Sequence, residues 1–168
     1  FAPEATTVGI IYSSGEVNSE VQVELARKAA EAEGLEVVET TVTNSSEVQQ
    51  AAQDLAAKVD AIYVPTDNTV VSAFASVVAA AEDAKIPLIA GEVDSVANGG
   101  LATYGIDYAL LGKQTGEMAI KILTEGADPA TMPVESQTEY ALTVNTTTLA
   151  AIGLDMPDSL KDKAVTVE

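Results

Sequence analysis

Short apolar runs rich in β-formers alternate along this chain with stretches whose apolar residues recur at helical spacing, and that alternation restricts the fold more than any other feature. Val8 to Tyr12, Glu36 to Thr43, Ala61 to Val64, Ile86 to Ala90 and Leu101 to Ile106 read as strands. Between the first two, residues 21–33 carry Val21, Leu25, Ala29 and Ala32 on one side and Arg27, Lys28 and Glu31 on the other, with Gly34 as a C-cap. Val48, Ala51, Ala52, Leu55, Ala56 and Val59 form the cleanest amphipathic stripe, entered through Ser45 or Ser46 as N-cap. A third helix runs from about Thr69 to Ala84, with Val70, Phe74, Val77, Val78 and Ala81 toward the sheet. The loop 91–100 has room for one helical turn, and a last long helix, capped by Asp107, reaches Leu123 with Leu111, Thr115, Met118, Ala119 and Ile122 on one face.

Strands joined by helices of roughly 10–16 residues require a parallel sheet covered on both faces. The expected fold is therefore α/β, a three-layer sandwich around a parallel, flavodoxin-like sheet of about five strands. After Gly126 the rhythm changes: 128–133 is turn-rich, Glu135 to Val144 reads as an extended strand, Thr147 to Ile152 as a short helix, and Met156 opens a frayed end. The expected division is an α/β lobe over 7–125 and a crossing or tail over 126–168.

Composition removes several function classes. The net charge of −18, from 26 acidic and 8 basic residues, argues against nucleic acid and against an anionic membrane surface. With no Cys and no His, the chain has no disulfide, no thiolate nucleophile, no Ser-His-Asp constellation and no ordinary zinc site. The usual general base of most enzyme chemistries is missing. Only a carboxylate-only hard-metal site stays open; no metal and no cofactor is expected. No apolar run approaches the roughly 18 residues of a membrane helix, and Phe-Ala-Pro-Glu at the start carries no basic or apolar targeting signal.

The polar candidates all fall just after strands, where the loops of a parallel sheet share one edge and ligands bind. Ser13, Ser14, Glu16 and Asn18 follow the first strand, and Thr66, Asp67 and Asn68 follow the third. Glu92 follows the fourth, with Asp94 close behind, and Tyr104 and Asp107 lie at the end of the fifth. Backbone donors in Ser13-Ser14-Gly15 would hold an anion, and Asp67, Glu92 or Asp107 would pair with an ammonium group. Together they would suit a zwitterionic amino acid. The plainer reading of Asp67, Asn68 and Thr69 is a helix cap. Gly112-Lys113 is no phosphate loop, no G-x-G-x-x-G follows the first strand, and Ser14 lacks nucleophile-elbow glycines.

Four segments, Val8 to Ser19, Asn44 to Val48, Asp60 to Val71 and Ala102 to Tyr108, resemble the substrate-binding proteins of ABC importers with a type I periplasmic-binding fold, in the family associated with tryptophan, phenylalanine and tyrosine. The similarity covers about residues 7 to 155. It implies two lobes with a ligand between them, of which this chain resembles the second onward and lacks nearly all of the first. It further implies an extracytoplasmic setting, ABC permease partners, and a cleft share made of Ser14, Glu16, Asn18, Thr66, Asp67, Asn68, Glu92 and 104–107.

In such a two-lobed protein the 107–123 helix would pack on the first lobe. Here it is expected to close the sheet, the alternative being an exposed Leu111–Met118–Ile122 face that drives self-association. Two other functions stand beside the binding module: the effector domain of a LacI-like transcription regulator, and an enzyme working with carboxylates alone.

Overall fold

The computed structural model describes residues 1–106, 108–138 and 140–168. Its centre is a seven-stranded sheet in the order β2-β1-β3-β4-β5-β6-β7. The strands are β1 (Thr7–Ser13), β2 (Glu36–Val42), β3 (Ala61–Val64), β4 (Leu88–Ala90), β5 (Ala102–Gly105), β6 (Ala141–Asn145) and β7 (Ala164–Val167). All neighbours run parallel except β5 and β6, which are antiparallel. The first five strands match the expected sheet. Two more come from the tail: residues expected to fray after Met156 form α8 (Asp158–Lys161) and then β7, which pairs with β6. Alternating Val165 and Val167 around Thr166 carry too weak a signal to announce a strand until β6 offers them an edge.

Two helices, α2 (Val48–Ala56) and α4 (Phe74–Ala84), cover one face of the sheet. Their stripes interlock with Ile11, Val42, Ile62, Val64, Leu88 and Ala90 to form the main core. The expected contact residues Val48, Ala52, Leu55, Val70, Phe74, Val77 and Ala81 are all buried there. Asn44, rather than Ser45 or Ser46, caps the 3₁₀ turn Ser45–Glu47 that leads into α2, accepting a hydrogen bond from the Ser46 N–H. The helix expected over 69–84 is two pieces, α3 (Asn68–Val71) and α4, broken at Ser72–Ala73. At the break the Ser72 hydroxyl donates to the Thr69 carbonyl at 2.8 Å, and the chain turns before α4 settles on the sheet.

Helix α1 (Val17–Ala32) lies against β1 and β2. It starts four residues before the expected Val21, and it turns a different side inward. Ser19, Val23 and Ala30 are buried, while Val21 and Leu25 are 56% and 62% exposed. Gly34 takes φ +77 just past its end, as a C-cap glycine does. A second cluster joins Leu101, Ala102, Leu142 and Val144 to Leu149 and Ile152, in and just after α7 (Thr146–Ala151). Asn145 fastens it: its side chain donates to the Val96 carbonyl at 2.9 Å and accepts from the Thr148 N–H at 3.0 Å.

Helix α6 (Tyr108–Glu125) does not close the sheet. None of its residues is buried. Leu111, Met118 and Ile122 on the expected face are only half-buried. The return segment runs beside it, with the Gln114 side chain donating to Glu135 at 3.0 Å. The proposed cap Asp107 lies outside the described residues. No helix among the described residues is long and apolar enough to cross a membrane.

Candidate functional site

The carboxyl ends of β1, β3, β4 and β5 share one edge, and carboxylates tie the loops leaving them to one another. Asp67 stands at the start of α3 and is 1% exposed. Its Oδ2 accepts from the Ser13 N–H and from the Ser19 hydroxyl, each at 2.7 Å, and its Oδ1 accepts from the Val70 N–H at 2.9 Å. One side chain thus joins the end of β1, the first turn of α1 and the start of α3. It is also the cap that the plainer reading anticipates.

Glu16 makes a second tie between the same loops. Its carboxylate accepts from the N–H and side-chain amide of Asn68 at 3.0 and 2.9 Å, and from the N–H and hydroxyl of Thr69, both at 2.9 Å. Partial burial favours the neutral acid, but these donors to the charged form outweigh it and hold the carboxyl at about 2. Asn18 adds a third tie, its side chain donating to the Thr66 carbonyl at 2.8 Å, and Gln22 accepts from the Thr66 N–H at 3.0 Å.

The β4 loop closes against these. A Cβ on Gly91 would sit 2.8 Å from the Thr66 nitrogen and 2.9 Å from the Pro65 carbonyl carbon, so the two loops touch backbone to backbone. Glu92, 7% exposed, caps α5 (Val93–Ala97) by accepting from the Asp94 and Ser95 N–H groups at 2.6 and 2.7 Å.

The structure therefore brings Ser13, Ser14, Glu16, Asn18, Thr66, Asp67, Asn68 and Glu92 to one edge but divides their work. Ser13, Asp67 and Glu92 are buried and hold protein groups. The donor nest expected over Ser13–Gly15 is already used. Ser13 N–H goes to Asp67, Ser14 N–H to the Val42 carbonyl, and Gly15 N–H to the Ser13 hydroxyl. Side chains of Ser14, Thr66 and Asn68 remain at the surface. Tyr104 is 63% exposed at the rim. Tyr108 follows four residues later, its phenol pushed up by partial burial and then by the charges of Glu92 and Asp94.

Two grooves open near α5. One of about 420 Å³ lies between Ser72, Phe74 and Ser76 on one side and Glu92, Ser95 and Asn98 on the other. A second of about 360 Å³ runs from Val93 and Asp94 past Tyr108 to Thr143. Asp94 is exposed and lines both. Among the described residues, no group of three or more Asp or Glu is placed to hold a metal ion. Ser19 and Gln22 are the residues that sequence reasoning passes over. The available signal was phase: Ser19 is polar yet sits one turn before the buried Val23.

A mostly parallel sheet with helices on both sides is the architecture of a periplasmic-binding protein lobe. The family model described as ABC transporter substrate binding protein matches residues 1–168, and the chain belongs to that family. The tyrosine-binding protein of Clostridioides difficile (strain R20291) is 43% identical over 152 residues, which cover 90% of this chain and 44% of that protein. An ABC domain from Streptococcus pneumonia, solved in complex with L-Trp, superposes with a TM-score of 0.90 at 36% identity, over 99% of this chain and 56% of that one. A conserved domain protein from Vibrio cholerae gives the same TM-score at 33% identity, over 99% of this chain and 56% of that one. The chain thus spans about half the length of the relatives it matches.

Proposed function

We propose that this chain is the ligand-binding lobe of an extracytoplasmic receptor serving an ABC importer, and that its ligand is an aromatic amino acid. The observation that carries the reading is the carboxyl edge itself. Asp67, Glu16 and Asn18 lock two loops, and Ser14, Thr66 and Asn68 of those loops stand exposed. Groups held in place before the ligand arrives lose little entropy when it binds. The tyrosine-binding relative and the relative with L-Trp bound support the choice of ligand class.

In this reading the side chains of Ser14, Thr66 and Asn68 bind the polar end of the amino acid. The ammonium falls to Asp94, the exposed carboxylate of the β4 loop, rather than to Asp67 or Glu92, whose oxygens are engaged. Tyr104 offers a ring to the aromatic side chain. The work is binding and presentation to permease subunits, with no bond made or broken, as family membership suggests. A second lobe would complete the cleft, since small ligands are held by burying most of their surface. The same membership does not favour the LacI-like regulator.

Amide chemical shifts followed during titration with tryptophan, tyrosine, phenylalanine and leucine test this. The aromatic amino acids should move signals of residues 14–18 and 66–69 more than leucine does, and Ser14→Ala with Thr66→Ala should reduce the effect without lowering thermal stability. An edge that stays silent to every amino acid sinks the assignment.

A further inference from the structure

Asp94 is carried to the carboxyl edge by a very short helix, and the groups that grip the far end of that helix come from distant sequence. At five residues, α5 is too short to hold itself in water, so its position comes from what grips its ends. The front end is capped by Glu92 of the same loop, through the Asp94 and Ser95 N–H groups. Two side chains that follow β6 hold the back end. The Asn145 side-chain amide donates to the Val96 carbonyl at 2.9 Å, and the Thr148 hydroxyl donates to the Gly99 carbonyl at 3.0 Å, each across 49 positions of sequence. Val96, Asn145 and Thr148 are all buried.

Asn145 is itself pinned. Its N–H donates to the Leu101 carbonyl at 2.8 Å, and its side-chain oxygen accepts from the Thr148 N–H at 3.0 Å. An amide fixed at both of those points can offer its NH₂ group in one direction only, and that direction is Val96. The other donor to the Val96 carbonyl, the Gly99 N–H, is longer at 3.2 Å. Two residues before Val96, the backbone of Asp94 is clamped as well. Its N–H goes to Glu92 at 2.6 Å, and its carbonyl accepts from the Asn98 N–H at 3.0 Å and the Asn98 side chain at 2.8 Å. The Asp94 carboxylate is left exposed on a helix whose two ends are fixed. A charge-assisted hydrogen bond is strong only when its geometry is right, so the place of this carboxylate decides how well it meets a cation.

We infer that Asn145 is a positioning residue for ammonium recognition: by gripping Val96 it sets the place of the Asp94 carboxylate, and with it the preference for an amino acid over the same molecule without its ammonium group. Asn145 touches no ligand. Its backbone bonds at Leu101, before β5 begins, and so it lies at the end of the sheet opposite the carboxyl edge. This role rests on the reading in which Asp94 takes the ammonium, and it adds to that reading a residue that no ligand-facing loop contains.

Asn145→Ser tests it, because serine still caps α7 but is too short to reach Val96. Thr148→Val removes the neighbouring grip on Gly99 while keeping the shape of the side chain, and should act in the same direction if Asn145→Ser folds poorly. Without ligand, amide hydrogen exchange over residues 95–100 should quicken at least about tenfold, while the Ser13 and Val70 amides bound to Asp67 keep their rates. In chemical-shift titrations the initial slope for tryptophan should fall about tenfold, and the slope for indole-3-propionate, which lacks the ammonium, should stay at its wild-type value. In an Asp94→Asn background, Asn145→Ser should change neither slope. Equal losses for both ligands would make Asn145 a structural residue only, and unaltered exchange would show that α5 is held without it; either result overturns the proposal. A wild-type preference for tryptophan that depends on Asp94 and survives in Asn145→Ser overturns the proposal and leaves the binding reading standing. A wild-type chain that does not distinguish the two ligands sinks the binding reading at Asp94, and this proposal with it.

Discussion

The loops at the carboxyl edge and the α6 arm sit at the same end of the sheet, yet they are held by opposite means. In the loops, three carboxylates are satisfied by backbone and hydroxyl donors, and two of them, Asp67 and Glu92, are nearly out of solvent. In the arm, none of the 18 helical residues is fully buried, and the Gln114–Glu135 hydrogen bond to the return segment is exposed. A charged group buried with its partners is costly to disturb, whereas an exposed pair contributes little. The edge is therefore rigid without help.

The sharpest way to break this contrast is Asp67→Ala. It strips acceptors from the Ser13 N–H, the Ser19 hydroxyl and the Val70 N–H at once, and should cost about 3–5 kcal/mol in urea unfolding. A loss under about 1 kcal/mol would show that the loops do not depend on the buried carboxylate.

One substitution made in both regions comes next. Gly91→Ala drives a Cβ into the backbone of Pro65 and Thr66 and should destabilise by about 1–3 kcal/mol. Gly116→Ala meets open space and should stabilise the chain by about 0.5–1 kcal/mol. The same sign at both positions would erase the distinction.

Acid titration probes the Glu16 tie. Its folded carboxyl sits at about 2 against an ordinary value of 4.5, so its contribution is complete above 4.5 and is lost as pH falls toward 2. Allowing for solvent screening, the loss should be about 1–2 kcal/mol between those limits. Glu16→Gln should flatten that part of the stability–pH curve, and an unchanged slope would place the acid sensitivity elsewhere.

The smallest effect belongs to Arg27 on the outer side of α1. Its guanidinium donates to Glu39 at 2.9 and 2.7 Å and also pairs with Glu24, all at the surface. Arg27→Ala should cost no more than about 1 kcal/mol, and less in high salt.

Legibility followed the same divide. The five parallel strands and the α2 and α4 stripes could be read directly, because period and burial coincide where a helix has one wet side and one dry side. Reading α1 failed in phase: Val21, Leu25 and Ala29 form a good stripe, but it is the stripe left facing solvent. Asp67 was visible as a polar residue after a strand. That it grips Ser13 and Ser19, 54 and 48 positions away in sequence, was not. Of the candidate site, the placement at one edge was readable and the division between holding and exposed residues was not. Tail residues 164–167 were read as part of a frayed end, yet they form β7.

What the sequence by itself determined is the class of architecture and the edge at which its polar loops gather. Both follow from local rules, since alternating periods force strand–helix–strand units and strand ends collect the loops. Tertiary structure alone decided which carboxylates are committed to the protein, which face of α1 is dry, and that β7 closes the sheet. Each depends on what lies opposite in space, and a hydrogen bond or a buried face exists only once distant segments have been brought within a few ångströms of each other.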